Sequence, residues 1–179
     1  VKNALGAAVL ALELDTPFDK IQAGLDQYTG VRRRFDIKYT TDSDIMIVDD
    51  YAHHPSEVSA TLKATKTGWD KRVIVIFQPH LFTRTRDFYH DFAEAFLQAD
   101  ILIVTDIYAA RENPLPGITA QIISDEAERL GHNHVEFIPE QTNIPARLKE
   151  IVQSDDMIIT MGAGNIWRQC EGIYEAINN

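Results

Sequence analysis

Short runs of aliphatic residues with scarcely a polar side chain, Val73–Phe77, Ile101–Val104, Val135–Ile138 and Met157–Met161, recur along the chain, each separated from the next by a stretch with helical spacing. A strand wetted on one face alternates apolar with polar residues, whereas a strand covered on both faces reads as nearly continuous Val, Ile and Leu. The recurrence therefore predicts a mostly parallel sheet with helices on both sides. The expected helices are Pro55–Lys66, Thr83–Leu97, Ile118–Leu130, Asn143–Val152 and Ile166–Ile177. Upstream, Phe35–Thr40 and Asp44–Asp50 flank the polar turn Thr41-Asp42-Ser43 and read as an antiparallel pair. The expected architecture is α/β: a three-layer, mostly parallel six-stranded sheet with one antiparallel strand.

Two helical patterns precede it. Val1, Ala4, Leu5, Ala8, Val9 and Leu12 follow i, i+3, i+4 spacing, so the chain opens inside a helix and is expected to be a piece of a longer one. Thr16-Pro17 with Asp19 reads as an N-cap and first turn; Phe18, Ile21, Leu25 and Tyr28 form a stripe, and Gly30 is placed to end the helix. A domain boundary is expected near Gly30–Arg34, giving units 1–31 and 32–179. Seventeen Lys and Arg against 27 Asp and Glu give a net charge of −10, which disfavours nucleic acid and anionic membrane surfaces as partners. The single cysteine, Cys170, lies on the apolar stripe of the last helix and is expected to be buried; it forms no internal disulfide, and no run is long enough to span a bilayer, so a reducing cytoplasm is expected.

Ligands of open parallel sheets bind beyond the carboxyl ends of the strands. The segments leaving those ends are Asp49-Asp50-Tyr51-Ala52-His53-His54-Pro55, Gln78-Pro79-His80, Asp106-Ile107-Tyr108 and Gly162-Ala163-Gly164. The first packs two carboxylates, a tyrosine and two histidines into six residues; its plain reading is a solvated loop whose Asp caps the next helix. A metal reading would gather His53, His54, Glu57, His80 and Asp106, but adjacent histidines point apart and the spacing of two His one helical turn apart is missing, so no metal is expected. Arg84 and Arg86 fall in the first turn of a helix for which Thr83 is the expected N-cap, against the helix dipole. Either Arg84 pairs with Asp87, or it clamps a carboxylate or phosphate beside His80. Arg32-Arg33-Arg34 marks the expected junction, and Gly162-Ala163-Gly164 is too short for a dinucleotide fingerprint.

Together these strings, with Thr83-Arg84-Thr85-Arg86-Asp87, Ala109-Ala110-Arg111-Glu112 and Asn165-Ile166, resemble the carboxy-terminal domain of the ATP-dependent Mur ligases from about Arg32 onward. Lys2–Arg34 resembles the close of that family's central ATPase domain. The resemblance implies a Rossmann-like domain, preceded by a helical remnant, that closes over nucleotide and brings the amino acid to a bacterial, cytoplasmic amide-forming ligase. The implied reaction adds L-alanine to UDP-N-acetylmuramate in peptidoglycan synthesis through an acyl phosphate. ATP and Mg2+ would be held mainly by the missing central domain, and the piece alone is expected to be inactive. By position, Tyr51, His53, His80 and Arg84 resemble the L-alanine pocket, and Asn3, Arg34 and Asp50 resemble contacts to ATP. Leu81 departs from the arginine that many relatives carry. The competing readings are a ligase that adds a tripeptide to UDP-N-acetylmuramate during recycling, and a non-catalytic anion-binding α/β module.

Overall fold

The structure is a computed structural model that describes residues 2–28 and 30–178. Val1, which opens the first helical pattern, lies outside them. The chain divides into two compact units, Val1–Val31 and Arg32–Asn179.

The first unit holds α1 (Lys2–Glu13) and α2 (Phe18–Asp26). Two expectations are corrected here. The residue flanking α2 is Pro17 and no side chain caps it, so Thr16 stands one position too early to serve. The helix also stops at Asp26 with Gln27 as its C-cap, so Gly30, although at φ +99°, acts in the connection beyond it. Ile21 is buried, while Leu5, Val9, Leu12, Phe18 and Tyr28 are exposed.

The second unit carries β1 (Asp36–Thr40), β2 (Met46–Asp50), α3 (Pro55–Gly68), β3 (Val73–Phe77), α4 (Phe82–Phe96), β4 (Ile101–Val104), α5 (Gln121–Arg129), β5 (Val135–Phe137), α6 (Ile144–Ile151), β6 (Met157–Met161) and α7 (Gln169–Asn178). The strands lie in the order β1-β2-β6-β3-β4-β5, with β1 antiparallel to β2 and every other pairing parallel. The polar turn extends through Asp44 at φ +58°, so β2 begins at Met46, two residues later than the sequence suggests.

Alternation along the strands builds two cores. Val48, Val75, Phe77, Leu102, Val104, Ile159 and Met161 face Val58 and Leu62 of α3, Phe92 and Phe96 of α4, and Ile123 and Ala127 of α5. Ile47, Ile74, Ile76, Ile103 and Ile158 face Ile144 and Leu148 of α6 and Cys170 and Ile173 of α7. Right-handed crossovers account for this division: the chain steps outward from β2 through β3 and β4 to β5, then returns to the centre at β6, and reversing direction moves the connecting helix to the opposite face. At the amino ends of the strands, Lys71 pairs with Asp44 and Asp155, and Arg72 with Asp156. The opposite ends remain for function.

Candidate functional site

The turn leading into β1 sets the rim. Arg33 and Phe35 both adopt left-handed backbone, at φ +61° and +47°. Non-glycine residues take that conformation only where surroundings impose it. The surroundings here are explicit. Arg33 Nε donates to buried Asp49 (3.0 Å), its Nη2 donates to the Gly162 carbonyl (2.6 Å), and its carbonyl accepts the Tyr51 N–H (2.7 Å). Asp50 accepts the N–H of Phe35 (2.9 Å) and of Ala52 (2.8 Å), and is only 5% exposed. Arg34 is instead outward, its side chain 56% exposed, 3.8 Å from Glu57 and over the Tyr51 ring at 5.9 Å. Of the three arginines, Arg33 is a brace and Arg34 is available to a ligand.

Beyond β2, His54 rather than an aspartate caps α3: its Nδ1 accepts the Ser56 N–H, and Pro55 takes the first helical position. The His54 ring turns to Phe88, and His53 turns the other way, toward Tyr51 and His80. His53 Nδ1 lies 2.9 Å from the Tyr51 carbonyl, which only accepts, so that nitrogen carries a proton. Glu57 accepts the His53 N–H at 3.0 Å, and this bond, with the histidine and Arg34 nearby, outweighs burial and holds its carboxyl below the usual range.

Beyond β3, Tyr108 docks on the chain as an extra rung: its N–H donates to the Pro79 carbonyl (2.8 Å) and its carbonyl accepts the Leu81 N–H (3.0 Å). The Tyr108 and His80 rings stack at 5.8 Å. Burial, followed by the positive charge of Arg84 and by His53, pushes the His80 imidazole below its ordinary pKa, and its Nδ1 is buried with no hydrogen-bond partner. At neutral pH this ring is uncharged. Arg84 Nη1 donates to the His53 carbonyl at 3.3 Å. Among the described residues no carboxylate pairs with it, because Asp87 is taken by Arg86 at 2.7 Å. The Arg84–Asp87 alternative is thereby overturned.

Two further expectations change. Thr83 does not cap α4: the flanking residue is Leu81, at φ +72° and with no polar side chain, while Thr83 lies inside the helix and donates both its N–H and its hydroxyl to Glu112. Gly162 and Gly164 are packing glycines. A Cβ on Gly164 would fall 2.2 Å from Gln78 Oε1 and 2.7 Å from the Tyr108 ring, and one on Gly162 would fall 2.6 Å from the Gln78 carbonyl. Gln78 Oε1 meanwhile accepts the N–H groups of Asn165 and Ile166, tightening the entry to α7 into a 3-10 turn over Ile166–Arg168. Cys170 is buried, and burial pushes its thiol up to about 11. No group of three or more His, Cys, Asp or Glu is arranged to hold a metal among the described residues.

Tyr51, His53, His80 and Arg84 thus share one rim, at the carboxyl ends of β2 and β3, with Tyr108 from the end of β4. Asn3 belongs to the other unit. Arg33, Gln78, Tyr108 and Glu112 fall in segments that the sequence marks, but their bracing contacts to Asp49, Asn165, Pro79 and Thr83 are read only from the structure. A guanidinium without a carboxylate partner, beside a neutral imidazole and two phenol-bearing walls, can receive a small carboxylate.

The fold and rim define a doubly wound α/β domain that gathers polar side chains at the carboxyl ends of its strands. Residues 33–164 match the family model of the Mur ligase glutamate ligase domain, and the chain belongs to the Mur ligase family. It is 46% identical over 178 residues to UDP-N-acetylmuramate-L-alanine ligase of Trichlorobacter lovleyi and 44% identical over 180 residues to that of Salinibacter ruber, covering 39% and 38% of those proteins. The chain therefore spans under two-fifths of the length of these two relatives. Among solved structures, the UDP-N-acetylmuramate-alanine ligase of Thermotoga maritima superposes over 98% of this chain and 37% of its own, with TM-score 0.79 and 26% identity. A murein peptide ligase from Psychrobacter arcticus shares the fold at TM-score 0.70 and 21% identity, over 99% of this chain and 36% of its own.

Proposed function

We propose that this chain is the amino-acid-binding and closing domain of a cytoplasmic bacterial ligase that joins L-alanine to UDP-N-acetylmuramate, with residues 1–31 as the end of a central ATPase domain. The observation that carries the reading is Arg84, free of any carboxylate partner among the described residues, beside uncharged His80 and bonded to the His53 carbonyl. Arg84 would take the α-carboxylate of L-alanine, with Tyr51, His53 and His80 beside it on the same rim. Similarity to relatives named for L-alanine ligation, over 99% of this chain, supports that substrate over a tripeptide.

ATP, bound with Mg2+ mainly outside this chain, would transfer its γ-phosphate to the sugar carboxylate, forming an acyl phosphate as the bond from the γ-phosphorus to the departing ADP breaks. The amine of L-alanine then forms the new C–N bond, the C–O bond to phosphate breaks, and the amine loses its proton. This chain's part is positioning and charge. The exposed Arg34 guanidinium fits a nucleotide. Asp50 fits a ribose hydroxyl through the remaining lone pairs of a carboxylate whose oxygens each accept one backbone N–H. Asn3 would contact adenine. These assignments are tested in the full-length parent. Arg84→Ala is expected to raise KM for L-alanine by roughly 10²-fold or more, as losing a charged clamp does. The parent should use L-alanine in preference to the tripeptide, and residues 1–179 alone should turn over no ATP. Preference for the tripeptide would establish the recycling ligase instead, and an Arg84→Ala parent with unaltered KM would remove Arg84 from the amino-acid site.

A further inference from the structure

Helix α4, which presents Arg84, begins badly by its own sequence. Its flanking residue Leu81 offers no side-chain acceptor, its first turn holds no acidic residue, and Arg84 and Arg86 oppose the dipole. The missing acceptor arrives from 29 residues away. Glu112 accepts the Thr83 N–H at 3.0 Å with one oxygen and the Thr83 hydroxyl with the other. Its own N–H donates to the Ala109 carbonyl (2.9 Å) across a turn in which Ala110 takes φ +51°, and Tyr108 at the start of that turn is bonded on both sides to Pro79 and Leu81. The segment Tyr108–Glu112 therefore grips 79–83 at two points, and Arg84 is the next residue. The two hydrogen bonds from Thr83 hold the Glu112 carboxyl below its usual range, so the grip is ionised at neutral pH.

We propose that Glu112 is a positioning residue: by capping α4 from the loop after β4, it fixes the direction in which Arg84 meets the carboxylate of the amino-acid substrate. The proposal rests on the reading of Arg84 as that clamp. It distinguishes placement from mere stability, because a misdirected guanidinium weakens amino-acid binding selectively.

The test is made in the full-length ligase with Arg84→Ala, Glu112→Ala, Glu112→Gln and Thr83→Val, measuring kcat and both KM values. Glu112→Ala should raise KM for L-alanine about tenfold, well short of the ~10²-fold that a 1 Å misplacement can cost, with KM for ATP and kcat at saturating L-alanine nearly unchanged. Glu112→Gln, which keeps an acceptor for the Thr83 N–H, should recover much of the loss. Thr83→Val, which keeps the N–H bond and loses the hydroxyl, should shift KM in the same direction by less, and it serves as the readout if Glu112→Ala does not fold. A fall in melting temperature with KM for L-alanine unchanged, or equal rises in both KM values, would overturn the proposal. If Arg84→Ala raises KM for L-alanine and neither Glu112→Ala nor Thr83→Val does, positioning alone fails. If Arg84→Ala leaves it unchanged, the amino-acid pocket falls and the positioning role with it.

Discussion

His80 shows how one side chain's surroundings decide its charge. In the unfolded chain its imidazole gains a proton near the ordinary histidine value, whereas in the fold burial and the neighbouring Arg84 guanidinium delay that gain to lower pH. Between the two values the unfolded state binds more protons, so stability falls as pH drops through this window. His132, buried with Nε2 unpartnered and likewise depressed, contributes in the same direction. The melting temperature should therefore decline from pH 7 toward pH 5, and less so in a His132→Gln variant. A titration of the ring carbon resonances should place His80 below the ordinary value and move it upward in Arg84→Ala; an unmoved midpoint would remove Arg84 from its surroundings. At this scale the rim was partly legible. Tyr51, His53, His80 and Arg84 stand out because each occupies a loop or helix start where a plain strand-to-helix link needs no such group. The contacts of Arg33 and Glu112 do not, since their partners lie 16 and 29 residues away and leave no periodic trace.

Among the elements, the clearest test of how the rim is built is the glycine after β6. Gly164→Ala would drive its methyl into Gln78 and Tyr108, and the position has no room to yield because Gln78 is fixed by Asn165 and Ile166. A loss of about 1–3 kcal/mol, the usual range for overpacking, is expected in chemical denaturation. Gly68→Ala at the end of α3, where the new methyl meets nothing within 4 Å, should be neutral or stabilising by about 0.4–1 kcal/mol. The strands were readable because burial on two faces demands unbroken apolar runs, and five of the six were placed correctly to within a residue at either end. Helix starts were less so. Residues 118–120 precede α5 because Gly117, at φ +77°, turns the chain there, and α7 is preceded by a 3-10 turn because Gln78, just past β3, accepts the N–H groups of Asn165 and Ile166. Both causes are tertiary or conformational, and apolar spacing reports neither.

For the molecule as a whole, the two cores lie entirely within the second unit, every buried member falling between Ile45 and Ile173. Residues 32–179 should accordingly fold alone, with a melting temperature within a few degrees of the longer chain. What that unit cannot lose is Arg33. It neutralises Asp49, whose side chain is fully buried between the sheet and α7, with a further hydrogen bond from Thr160 at 2.9 Å. Burial raises the Asp49 pKa even with Arg33 and Thr160 opposing it. Arg33→Met in residues 32–179 keeps the apolar stem and removes the charge, leaving an uncompensated carboxylate; breaking a buried pair this way costs about 3 kcal/mol, or roughly 6–12 °C in a domain of this size. Without the guanidinium the Asp49 pKa rises further, so acid should relieve the penalty by neutralising the carboxyl. The melting-temperature gap between the Arg33→Met chain and its parent should therefore be widest at pH 8 and narrow toward pH 5. A gap that stays constant across that range would mean that Arg33 stabilises the turn through Gly162 and Tyr51 rather than by its charge on Asp49.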